Sequence, residues 1–173
     1  MSLIKTFEVF KKEKGNKLSG IAVIVDSNIL LVLPDKFKKS KVKWSLPKGH
    51  VEGRDSLKSA LKELKEEAGI KLDRNYDYNF VIQYKKSGIK KELEVFVYNK
   101  SIEDFSKYLK YDSLELKTKT MMRITKYEEI YNVKFFPLSR AKKRMEDIQR
   151  QVIDYLVEEE YLDLENESTQ EFY

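Results

Sequence analysis

Three glutamates, Glu63, Glu66 and Glu67, are separated by three residues and then one, a spacing that gathers their side chains on one patch of an α-helix. The stretch before them is punctuated by Pro47, Gly49 and Gly53, and a glycine turn there can bring a backbone carbonyl to the same patch. Carboxylates and a carbonyl are the hard oxygen ligands that magnesium takes, and a polyphosphate would supply the remaining positions. A structural account is also open: a solvated helix face whose charge is offset by Lys58, Lys62 and Lys65.

The elements that must position this patch are legible in outline. From Ser56 the apolar residues Leu57, Ala60, Leu61, Leu64 and Ala68 follow a helical rhythm, and Gly69 stands where the helix should stop. The three glutamates are expected roughly opposite that stripe. Upstream, Gly20–Val25 and Ile29–Leu33 are short aliphatic runs around a tight turn, the pattern of two buried strands. "YNFVIQY" and "ELEVFVY" alternate about a turn centred on Gly88 and predict a hairpin with a charged tip. Ser101 to Thr125 is less regular, with a short helix expected around Phe105, Tyr108 and Leu109. "VKFF" before Pro137 predicts a late strand, and Met145, Ile148, Val152 and Leu156 predict one long amphipathic helix from Arg140. Strands on either side of a central helix, with another helix at the end, imply a mixed α/β sandwich.

Composition narrows the function classes. The chain has 173 residues, 41% hydrophobic and 12% aromatic, enough for one domain with its own core. That domain is expected over residues 1–164, with the acidic tail 165–173 frayed. A formal net charge of +5 favours acidic partners such as phosphates, nucleic acid or an anionic surface. The absence of cysteine excludes disulfides, thiolate metal sites and a thiol nucleophile. No apolar run is long enough for a bilayer span, so the expectation is a soluble, cytoplasmic protein without a membrane partner.

The stretch from Trp44 to Ile70 resembles the signature of the Nudix hydrolases. Glu63, Leu64, Glu66, Glu67, Gly69 and Ile70 match its second half in register, and "LPKGHVE" (Leu46 to Glu52) resembles the form found in diadenosine polyphosphate hydrolases of that superfamily. "SGIAVIV" is similar to the family's first core strand, and Glu129 to Ala141 to its late strand leading into a final helix. The resemblance implies an α/β Nudix fold, a mixed β-sheet sandwiched between helices. It also implies a magnesium-dependent hydrolase, with manganese as a substitute ion, that cleaves a phosphoanhydride bond in nucleoside polyphosphates, dinucleoside polyphosphates first. Glu63, Glu66 and Glu67 would hold the metal with the carbonyl of Gly49, and Glu129 or Glu63 would be the general base. RNA 5′ ends, diphosphoinositol polyphosphates, or a noncatalytic role in binding nucleotide or nucleic acid are the alternatives.

Two departures stand out. From Gly49 to Glu63 the chain is one residue shorter than the signature, with Asp55 the nearest stand-in for the loop glutamate. Lys62 replaces the signature's arginine and is expected to brace a glutamate of the box with one contact in place of two. Around the box, Lys48 is a phosphate-binding candidate, and His50, the only histidine, is either a phosphate contact or surface. Tyr84 with Lys85, Lys86, Lys90 and Lys91 resembles the hairpin that meets the nucleotide in diadenosine polyphosphate hydrolases, or is an alternating strand with a basic tip. The basic loop Lys36 to Lys43 serves solubility, or draws in anions.

Overall fold

The computed structural model describes residues 16–34, 43–107, 121–124 and 128–159. The expected aliphatic runs form β1 (Lys17–Val25) and β2 (Asn28–Pro34), joined by a two-residue turn in which Asp26 and Ser27 both take positive φ. Such a turn matches the natural twist of a hairpin. The second hairpin, β4 (Tyr78–Lys86) and β5 (Ile89–Lys100), turns in the same way at Ser87 and Gly88. Between the hairpins lie β3 (Lys48–His50) and helix α1 (Ser56–Ala68). After β5 come the short helix α2 (Ile102–Ser106), β6 (Met121–Ile124), β7 (Ile130–Pro137), the single turn α3 (Leu138–Ala141), and a last helix, α4, over described residues 150–159.

The strands make one mixed seven-stranded sheet in the order β4-β5-β1-β2-β7-β6, with β3 beside β1. β1 runs parallel to β5 along its whole length, from Lys17↔Glu92 to Val25↔Lys100. Its other edge is shared. β2 pairs with it only at Ile24↔Ile29 and Val25↔Asn28, while β3 pairs further back, at Leu18↔His50, Ser19↔Gly49 and Gly20↔Lys48. The segment before β3 thus wedges β1 and β2 apart, bonded to β1 through Ile21 N–H to the Pro47 carbonyl (3.1 Å) and to β2 through Val32 N–H to the Ser45 carbonyl (2.8 Å). The "KGH" expected as turn is a short strand because β1 offers it an unpaired edge.

Both faces of the sheet are covered, which is why Ile21–Val25 is apolar at every position and buried throughout. Ile21, Val23 and Val25 pack with Leu57, Ala60 and Leu64 of α1 and Phe105 of α2. Ala22 and Ile24 pack on the opposite face with Leu138, Met145, Val152 and Leu156. The expected sandwich of helices about a mixed sheet is therefore present.

The final helix differs from expectation. The apolar rhythm from Arg140 is spread over α3, two 3-10 turns (Lys142–Arg144 and Asp147–Gln149) and α4. Met145 is extended, with φ −94° and ψ 156°, and bridges to Trp44. Trp44 N–H donates to the Arg144 carbonyl at 2.7 Å and Glu146 N–H to the Trp44 carbonyl at 3.2 Å. These bonds to the wedge segment outcompete helical ones, while Met145 still reaches the core. The buried Gln149 fastens the same joint by accepting from Leu46 N–H at 2.8 Å. Tyr108, Leu109, the basic stretch from Lys36 to Val42 and the acidic tail lie outside the described residues.

Candidate active site

Helix α1 is fixed at both ends. The Asp55 carboxylate accepts the Lys58 N–H at 3.0 Å as an N-cap. Gly69 closes the helix in the left-handed region at φ 73°, where a side chain would be strained, and donates to the Lys65 carbonyl at 3.0 Å. Asp55 also pairs with Arg74 at 3.0 Å, so the residue expected to stand in for a loop glutamate is a helix cap. Lys62 instead meets Glu52, at 3.2 Å, across the turn between β3 and α1. It braces a loop carboxylate and not a box glutamate. Ser59 holds the base of that turn by accepting the Glu52 N–H at 2.9 Å.

The three helix glutamates are not equivalent. At about 100° per residue, Glu66 points away from the Leu57–Leu64 stripe, while Glu63 and Glu67 lie on its flank. All three are half-buried, but only Glu63 and Glu67 close on β3, Glu63 over Gly49 and Glu67 on the Lys48 N–H. Glu67 sits deepest: burial, then the Glu63 charge beside it, pushes its carboxyl up to about 8, against the opposing pull of the Lys48 charge and of a hydrogen bond from the Lys48 N–H. Glu63 is raised in turn by burial and by Glu66, and shares a side-chain hydrogen bond with Glu67. Two carboxyls in contact in a half-dry setting hold protons more tightly than either would alone.

β3 supplies the floor. A Cβ added to Gly49 would collide with the Glu63 carboxyl and lie 2.7 Å from its Cγ, so glycine lets the carboxyl close on the strand. Ladder geometry also separates the carbonyls. Gly49 pairs with Ser19 between the bonds Ile21 N–H to Pro47 and Val51 N–H to Lys17, so its own backbone groups face β1. The N–H and carbonyl of Lys48 face outward, toward Glu67. The Lys48 and His50 side chains leave on the opposite face from Glu63, and His50 is exposed.

β7 brings in the late glutamate. The Tyr131 hydroxyl donates to Glu129 Oε2 at 3.4 Å, and burial followed by the charges of Glu67, Glu129 and Glu63 pushes that phenol up to about 12. Glu129 therefore bonds a phenol that also feels the charges of Glu67 and Glu63. Tyr131 was not anticipated, although alternation along "EIYNVKFF" puts it on the same strand face as Glu129. Tyr84 and Lys90 line a groove of about 710 Å³ with Asn16, Lys17, Gln83, Lys85, Lys91 and Glu92. Burial, then the Glu146 charge, raises the Tyr84 phenol. Lys17 ties this groove to the box, because its carbonyl accepts the N–H of Val51, the residue after β3, at 3.0 Å.

The Nudix domain family model matches residues 16–156. The chain belongs to the Nudix family. No curated protein matches it. Among solved structures, an Ap4A hydrolase from C. elegans shares 20% identity at a TM-score of 0.50, covering 81% of this chain and 97% of that one. A MutT Nudix hydrolase from Burkholderia pseudomallei shares 18% identity at 0.56, covering 80% and 95%. The bifunctional NMN adenylyltransferase/ADP ribose pyrophosphatase of Francisella tularensis, complexed with AMP and a manganese ion, shares 19% at 0.57, covering 91% of this chain and 48% of that one. These likenesses establish the Nudix fold.

Divalent cations belong to Nudix chemistry, and the donor set suits one. Glu63, Glu66 and Glu67 offer carboxylate oxygens, the outward carbonyl of Lys48 is adjacent, and Gly49 leaves room for Glu63 against the strand. Among the described residues no three His, Asp or Glu groups are already closed into a ligand cage, so a cation would draw the flanking carboxylates together. No described helix is long and apolar enough to cross a membrane.

Proposed function

We propose that this Nudix protein is a magnesium-dependent hydrolase, with manganese as a substitute ion, that cleaves a phosphoanhydride bond in nucleoside polyphosphates, with dinucleoside polyphosphates as the first class. The observation that carries this reading is the pair of touching, half-buried carboxyls, Glu63 and Glu67, set against the backbone of β3. Burying that much acidic surface costs stability unless it serves a ligand.

Glu63, Glu66 and Glu67 would hold the metal with one backbone carbonyl, for which the strand register favours Lys48 over Gly49. The bound ion would neutralise charge on the phosphate oxygens as the phosphorus–oxygen bond breaks. Glu129 would take the proton from the attacking water at a carboxylate oxygen, with Tyr131 orienting it; Glu63 is the other candidate for that task. Lys48 and His50, on the face of β3 turned away from Glu63, would meet the phosphate chain only where it passes from the metal toward the Tyr84–Lys90 groove, which would take a nucleoside end, where a tyrosine offers a stacking face and lysines offer charge. Lys62 would act at one remove by fixing Glu52.

A product-resolved assay with magnesium over dinucleoside polyphosphates, ADP-ribose, inositol pyrophosphates and 5′-triphosphorylated RNA tests this. Fastest turnover of a dinucleoside polyphosphate is expected. Preference for long triphosphorylated RNA with a steep salt dependence would assign the basic groove to RNA, and tight ligand binding without turnover would make this a binding module.

A further inference from the structure

Ser19 is fully buried on β1, at 0% exposure, and its Oγ has no hydrogen-bond partner among the described residues. Buried hydroxyls are almost always bonded, so an orphan calls for a partner that arrives in another state of the site. Ser19 shares the sheet face of Ile21, Val23 and Val25, which is the face covered by α1. Its neighbours across the ladder are Glu94 on β5 and Gly49 on β3. The other polar groups on this face are engaged: Glu94 accepts from Ser56 and, at 3.0 Å, from Asn79, and Ser59 is bonded to Glu52. The Glu63 carboxyl remains. It lies where a Cβ of Gly49 would be, and directly paired residues on one face of a ladder stand only about 5.5 Å apart, so a small side-chain rotation closes the contact.

We propose that Ser19 is a positioning residue for Glu63, donating its hydroxyl to that carboxylate when Glu63 turns to serve a divalent cation. One carboxylate oxygen is then held by Ser19 and the other is presented outward. Hydrogen bonds to a ligating carboxylate fix its orientation and strengthen the site. The inference rests on the reading of Glu63 as a metal ligand, and it gives one substitution opposite effects on the metal-free and metal-loaded protein. Removing an unpartnered hydroxyl spares the metal-free fold a desolvation cost.

The test is Mn2+ binding, by calorimetry on the full chain, for wild type, Ser19→Ala and Glu67→Gln, with melting points of the metal-free proteins. Ser19→Ala should bind Mn2+ roughly tenfold to a hundredfold more weakly, yet melt no lower than wild type without metal. At saturating metal it should lower kcat with KM for the substrate unchanged. If Glu67→Gln loses Mn2+ while Ser19→Ala keeps wild-type affinity, the role of Ser19 is overturned and the metal reading stands. If wild type and Glu67→Gln bind alike, the metal reading itself fails and takes the role of Ser19 with it. A metal-free melting point several degrees lower for Ser19→Ala would assign its hydroxyl a structural partner and also overturn the proposal.

Discussion

Raising the pH from about 5 to about 9 without divalent cations should destabilise this protein, with Glu67 as the main source. In the fold its carboxyl keeps a proton up to about 8, against an ordinary value of 4.5. Below 4.5 the folded and unfolded chains both carry that proton, and the fold suffers no penalty. Between 4.5 and about 8 the unfolded chain releases it while the fold retains it, so stability falls steadily with pH; above about 8 the loss is complete. At about 1.36 kcal/mol per pH unit, this interval sets an upper bound of about 5 kcal/mol. For a chain of this size that corresponds to a fall in melting point of about 10–20 °C. Thermal melts in chelator across the range, for wild type and Glu67→Gln, isolate the effect of the Glu63–Glu67 pair, because groups away from that pair contribute equally to both. Glu67→Gln should be flatter, and magnesium should recover most of the wild-type loss at high pH by replacing the proton. Equal slopes for the two proteins would refute the idea that Glu67 is desolvated against β3.

Gly49→Ala should push Glu63 off β3, since the new methyl would lie 2.7 Å from its Cγ; calorimetry should show Mn2+ affinity reduced about tenfold or more, with melting changed little because a flexible side-chain end can move aside. Glu129→Gln should lower kcat by about a hundredfold or more while leaving Mn2+ affinity near wild type, whereas Glu63→Gln should damage both; full activity in both variants leaves the reaction without its base. Lys62→Ala and Glu52→Gln should each lose less than about tenfold in kcat/KM, since their ion pair is exposed, and the double variant should lose no more than the worse single one.

The sequence made the sheet-forming runs, both hairpins and α1 legible because each carries its own periodicity and its own stop signal, such as Ser87–Gly88 or Gly69. It concealed what depends on neighbours distant along the chain. Lys48–His50 is a strand only because β1 and β2 diverge and leave an edge for it, and Met145 leaves the helical path only because Trp44 offers backbone groups to it. The glutamates of the box were found by type and spacing, but their inequality follows from where α1 crosses β3. Lys62 is expected to brace a box glutamate and meets Glu52, ten residues back, because the bond from the Glu52 N–H to Ser59 holds the turn between β3 and α1 against the helix. Ser19 carries no spacing signal of its own, and Tyr131 only its alternation with Glu129; they matter through what β3 and α1 place beside them.

The most direct test of the glutamate patch is turnover of a dinucleoside polyphosphate by wild type and Glu67→Gln, with products resolved and magnesium titrated from chelator to saturation. Wild type should be inactive in chelator and gain activity with magnesium, and Glu67→Gln, still folded, should be slower by about a thousandfold at saturating substrate and metal. Wild-type turnover by Glu67→Gln, or full turnover in chelator, would contradict the assignment of the site.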